Sequence, residues 1–131
     1  MKLTRFEELQ CWQEARKLVK MVYDAIKANP KLAADLRFSG QYSSAAVSTM
    51  SNIAEGFARE TDNEFIRSLW ISKGSAGEVQ SLSYAAFDQN YINNDKFEAI
   101  YKQAEKVSEL DSGLIKYLVR CRSVRRKDSK T

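Results

Sequence analysis

Histidine is missing from the chain altogether. Its absence removes the commonest general base, the commonest metal ligand and any Ser-His or Cys-His pair. Proline occurs once and glycine five times, which is little punctuation for a fold of short strands and favours long helices. Cysteine is equally scarce. Cys11 and Cys121 stand far apart without metal-ligand spacing, and in a reducing compartment they read as small apolar residues. No run of about eighteen apolar residues occurs, so no segment is expected to span a bilayer. The opening MKLTRFEELQ lacks the apolar stretch of a signal peptide, and a cytoplasmic location is expected.

The 131 residues are 44% hydrophobic and 29% charged. That is enough for one globular domain with a single core and too apolar for a disordered chain. The net charge of +4 is unevenly spread. Residues 116–131 hold Lys116, Arg120, Arg122, Arg125, Arg126, Lys127 and Lys130 against only Asp128, a net of +6, which leaves −2 for residues 1–115. The basicity belongs to the C-terminus.

Four long helices can be read from the apolar spacing. Thr4 and Glu7 have capping-box spacing at the start of the first. Its stripe is Phe6, Leu9, Trp12, Ala15, Leu18, Val19, Val22 and Ile26, and Asn29-Pro30 ends it. In KLAADLRFSGQYSS we expect a short helical turn, a break near Ser39-Gly40, and a second long helix over about 41–59. Its apolar positions are Ala46, Met50, Ile53 and Phe57. A second capping box, Thr61 with Glu64, opens the third helix. Phe65, Leu69, Ser72, Ala76, Val79, Leu82 and Ala86 then follow at near-heptad spacing. Clustered asparagines in DQNYINN end that helix and offer a cap for the next. The last helix is expected over about 95–121 or a little beyond, with Phe97, Ile100, Tyr101, Ala104, Val107, Leu110, Leu114, Tyr117, Leu118 and Cys121 on its stripe. Residues 125–131 show no apolar periodicity and read as a disordered basic tail. Short connections make successive helices antiparallel neighbours, so the expected fold is an all-α, up-down four-helix bundle over residues 1–124.

Candidate chemistry is sparse. A carboxylate-bridged metal site needs inward acids from several helices, and only Glu55 and Glu78 lie near apolar seams. The serines of YSSAAVSTMS have no base to activate them. No metal, cofactor or small-molecule substrate is expected, and the chain reads as non-enzymatic. GSAG, from Gly74 to Gly77, is read as a place of close helix contact. Asn52, Glu55 and Arg59 share one face of the second helix. They form either a solvated surface with an Arg59–Glu55 pair or a network bonded to Ser75 and Glu78 on the next helix; the residues alone leave both open. Arg120, Arg122, Arg125, Arg126, Lys127 and Lys130 are the candidates for phosphate contact with RNA or DNA. Trp12, Tyr23 and Trp70 add apolar surface beyond one stripe per helix, which points to self-association.

Three blocks carry a family resemblance: CWQEARKLVKMVY, SAAVSTMSNIAEGFAR and FIRSLWISKGSAGEVQSLSYAA. In that order they resemble the four-helix bundle proteins encoded by intervening sequences within bacterial 23S ribosomal RNA genes, often labelled S23 ribosomal protein. The resemblance covers roughly residues 6 to 120. It implies a left-handed bundle assembling as a homopentameric barrel, with a related branch acting as nucleic-acid-binding accessory proteins of diversity-generating retroelements. Asn52, Glu55, Gly56, Arg59, Gly74, Ser75 and Glu78 fit the family pattern and are the implied structural and interface network. Two positions depart from it. The family commonly carries arginine where Tyr42-Ser43-Ser44 stand, and proline where Met50 stands.

Overall fold

A computed structural model describes residues 3–129, and the side chains of residues 3–121. All regular structure among the described residues is helical. One 3-10 turn, Phe6–Glu8, precedes α1 (Gln10–Ala28), the short α2 (Pro30–Ala34), α3 (Leu36–Ala58), α4 (Asp62–Asp88) and α5 (Asn94–Ser129).

The N-terminal capping box does not form. Thr4 Oγ1 donates instead to Glu8 Oε1 at 2.9 Å, and α1 begins only at Gln10, without a side-chain cap. The cause is burial. Leu9 adopts an extended backbone, φ −72° and ψ 126°, which drops its side chain into the core and interrupts the helix ahead of it. Phe6 then packs edge-on against Trp12 with ring centroids 5.1 Å apart.

Asparagine and aspartate decide the next two boundaries. Asn29 Oδ1 accepts from the N–H groups of Lys31 and Leu32, with Pro30 in the first helical position where its missing N–H costs nothing. The break expected near Ser39-Gly40 falls four residues earlier, at Asp35. Asp35 Oδ1 accepts from Phe38 N at 3.2 Å, and a capping carboxylate there outweighs the cost of Gly40 inside the helix, about 1 kcal/mol. Thr61 caps α4 as expected, its Oγ1 accepting from Glu64 N at 3.2 Å.

At the far end of α4, Asn90 takes a left-handed conformation, φ 61°. Tyr91 N then donates to Ala86 O at 2.8 Å, the reverse turn that satisfies a terminal carbonyl. Asn29 Nδ2 reaches Tyr91 O at 2.9 Å and ties this turn to the end of α1. Asn93 caps α5 through Lys96 N at 2.9 Å. The backbone of α5 stays helical to Ser129, past Val124, where the disordered tail was expected to begin.

Each long helix packs against two others: α1 and α4 both contact α3 and α5. Side-chain pairs show the direction of two of these contacts. Tyr42 meets Ser83 and Ser48 meets Ser75, so α3 and α4 are antiparallel. Ser72 meets Asp111 and Tyr84 meets Phe97, so α4 and α5 are antiparallel as well. The shared core is built on Leu18, Val22, Leu32, Tyr42, Ile53, Leu69, Val79 and Val107, all fully buried. Leu32 belongs to α2, so that short helix closes one end of the bundle.

Candidate functional site

The polar residues singled out in α3 and α4 lie on one surface of the bundle, where two local arrangements form. The first crosses between helices. Asn52 Nδ2 donates to Ser48 O at 2.8 Å and to Ser48 Oγ at 2.9 Å, and Ser48 Oγ lies 2.8 Å from Ser75 Oγ. Asn52 thus reaches Ser75 through Ser48, a residue the sequence did not mark. The second stays on one helix. Arg59 donates to Glu55 Oε1 at 2.8 Å, with both side chains more than half exposed. That hydrogen bond raises the guanidinium pKa above its ordinary value. Glu55 therefore bonds one turn along its own helix and not to Ser75 or Glu78, and Glu78 itself is exposed. On this face Asn52 bonds toward α4 by way of Ser48, and Glu55 and Arg59 pair at the surface.

The glycines divide the same way. A Cβ placed on Gly56 would lie 2.6 Å from Ser68 Cβ and 2.9 Å from Phe65 Cδ1, so α4 passes against α3 where only hydrogen fits. Gly74 and Gly77 have nothing within 4 Å of such a Cβ. No described residue approaches these two glycines; within GSAG the helix contact is made by Ser75, against Ser48 at 2.8 Å, and by the fully buried Ala76. Between the two helices lies a shallow groove of about 360 Å³, bounded by Asn52, Glu55, Arg59, Glu64, Arg67 and Ile71. Charges of both signs line it. Beside it, Trp70 is 55% and Ile71 47% exposed, although Leu69 in the same turn is fully buried.

Of the basic candidates, Arg120 is exposed on α5. The side chains of Arg122, Arg125, Arg126 and Lys127, and Lys130 as a whole, lie outside the described residues. Tyr42, in the segment where the family commonly carries arginine, is fully buried and hydrogen-bonded to Ser83 at 2.7 Å. Burial pushes its phenol up to about 12. Tyr42 faces the core and offers no surface for a cation, while Ser44 in the same segment is exposed.

Two polar clusters escaped sequence reading. Asp111 is fully buried on α5 and accepts from Ser72 Oγ at 2.7 Å, while its Oδ1 has no partner. Burial drives its carboxyl up to about 7, against the opposing pull of the Ser72 hydroxyl. Cys11 lies beside it, and burial followed by that carboxylate's charge pushes its thiol up to about 12. A thiol so raised is no nucleophile near neutral pH. Glu14 is the second cluster. Lys17 and Lys106 hold it at 2.8 and 3.0 Å, Gln103 adds a bond at 3.3 Å, and these cations keep the carboxyl down at about 2. The signal for Asp111 was available, since it falls four residues after Val107 on the apolar stripe of α5. Glu14 likewise falls beside Ala15 and Leu18.

Among the described residues no three histidine, cysteine or acidic side chains come together as a metal would require. No helix there is long and apolar enough to cross a membrane. The arrangement is one of structural pairs and an exposed, partly apolar flank.

Comparison with known proteins agrees with this architecture. A crystal structure of a protein of unknown function from the S23 ribosomal protein family, from Bacteroides thetaiotaomicron VPI-5482, superposes with a TM-score of 0.72. It covers 81% of this chain and 98% of its own, at 19% identity, a likeness that speaks to the fold. No curated protein matches the chain. The profile of the 23S rRNA-intervening sequence proteins matches residues 7–113. Most of the bundle falls within that match, and the chain belongs to the 23S rRNA-intervening sequence protein family.

Proposed function

We propose that this protein is a non-enzymatic assembly module: an up-down four-helix bundle whose copies associate, with a homopentamer as the unit, into an RNA-associated scaffold. The observation that carries the reading is the position of Trp70 and Ile71. They stand exposed outside a bundle whose own core is already filled by Leu69, Val79, Ile53 and Val107. A bundle helix needs one apolar stripe, and large apolar side chains beyond it favour contact with another molecule. The family resemblance supplies the number five. Light scattering at micromolar concentration tests the reading: an assembly of five copies or a multiple of five is expected, and a stable monomer contradicts it.

A second reading is nucleic-acid binding through the basic end of α5. Lys116 and Arg120 are exposed there, and the helix runs on to Ser129 through the remaining cations. Several such ends on one assembly raise avidity without new contacts. Binding that falls steeply with salt and is lost on deleting residues 122–131 supports it; RNA affinity unchanged by that deletion contradicts it.

A further inference from the structure

The outward line of α4 is built like a helix interface, although no described residue approaches it at Gly74 and Gly77. A surface helix normally turns charge to solvent opposite its core stripe. At 100° per residue, the face opposite the buried Leu69, Ser72, Ala76, Val79 and Ser83 carries Trp70, Gly74, Gly77 and Ser81, with Tyr84 turned from it toward α5. Those four residues are uncharged, and the charged Glu78 stands beside them. Trp70 and Tyr84 are 55% and 53% exposed. Tyr84 is held by ring contacts with Phe97 and Tyr101, at 4.8 and 5.9 Å between centroids. Each mid-helix glycine costs about 1 kcal/mol against alanine, and at Gly74 and Gly77 no close approach within the chain offsets that cost. Lys73, beside the line, is turned to Ser108 and Ser112 of α5 at 3.1 and 2.8 Å. Glu78 flanks the other side.

The pattern is also symmetric about Gly77. Trp70 stands seven residues before it and Tyr84 seven after. The exposed Arg67 stands ten before it and the exposed Asp88 eleven after. When two such helices run antiparallel and cross at Gly77, Trp70 of each falls at the height of Tyr84 on the other. Arg67 and Asp88 fall within one residue's rise, about 1.5 Å, of being level. Opposite charges then meet at both ends and aromatic pairs flank a glycine crossing. A face that complements itself under a two-fold axis is an isologous interface. We infer that the outer face of α4 binds the same face of a second copy of this chain, antiparallel and centred on Gly77.

The inference rests on the self-association proposed above and goes beyond it, because it names the face that two copies share and the two-fold relation between them. Light scattering on the full chain separates the two. Ten copies support both the ring and the α4 pairing, and a dimer supports the pairing and overturns the ring. Five copies support the ring and overturn the pairing. A monomer overturns both. Trp70→Ala acts twice across a two-fold contact and is expected to weaken the pairing on the order of 100-fold, halving the mass. A cross-link guards against misreading a folding defect. In a Cys121→Ser background, Gly77→Cys lies on the axis and should oxidise to a covalent dimer, since α4 has open space there. Gly40→Cys, equally open on α3, should not. Failure of Gly77→Cys to cross-link above the Gly40→Cys control overturns the inference.

Discussion

Gly56 and Ser68 are in contact across α3 and α4 so closely that a Cβ on the glycine would stand 2.6 Å from the serine Cβ. The contact is backbone against the base of a side chain, so rotamer changes cannot relieve it. It explains why a glycine sits in the last turn of α3, within SNIAEGFARE.

Gly56→Ala is therefore expected to destabilise the bundle. Overpacking costs about 1–3 kcal/mol, and the gain of about 1 kcal/mol in helix propensity offsets only part of it. Gly74→Ala has the opposite sign. With open space around it, it is expected to stabilise the folded chain by up to about 1 kcal/mol. Urea unfolding of the two variants beside the parent measures both.

Asp111 makes stability fall as pH rises. Its folded carboxyl lies at about 7 against an ordinary 3.8, so the folded state binds the proton more tightly over that interval. This contribution is intact below about pH 4, declines toward pH 7 and is flat above. Asp111→Asn keeps the shape of the neutral acid without the charge. It is expected to raise the unfolding midpoint above pH 7 and to remove this slope. A midpoint lowered equally at pH 4.5 and pH 8 would contradict the assignment.

Glu14 works in the reverse direction. Its folded carboxyl lies at about 2 against an ordinary 4.5, so its stabilisation is present above pH 4.5 and disappears as the pH falls toward 2. Glu14→Gln is expected to cost about 1.5–3 kcal/mol at neutral pH, the range for hydrogen bonds to a charged group, and little near pH 2. Thermal melts at the two pH values distinguish this from a packing defect, which would act at both.

The four long helices and their apolar stripes were legible because 3.6-residue periodicity survives in α1, α3, α4 and α5. Boundaries were less so, for particular reasons. Leu9 breaks the first helix by being buried, which no local propensity records. Asp35 wins over Gly40 because a capping bond outweighs a weak helix former. The site divided similarly. Asn52 and Gly56 were legible as polar and small residues on an apolar helix. Ser48 as the link to Ser75 was not, because it depends on the register of α3 against α4. Asp111 was legible by position, four residues after Val107 on the apolar stripe of α5, but a stripe read from apolar residues alone passes over an acid.

The Glu55–Arg59 pair separates folding from assembly. Both side chains are more than half exposed, and such pairs contribute little to folding. Arg59→Ala is expected to leave the unfolding curve of the isolated chain unchanged. A loss of assembly in the same variant, read by gel filtration, would place this groove at a contact between copies.

The most direct measurement of the central claim is the solution mass of the purified chain by light scattering at micromolar concentration. Association driven by the exposed flank of α4 and its neighbours predicts five copies or ten, with the mass reduced by Trp70→Ala if the α4 faces pair. A mass of about 15.0 kDa, that of one chain, at every concentration measured would contradict it.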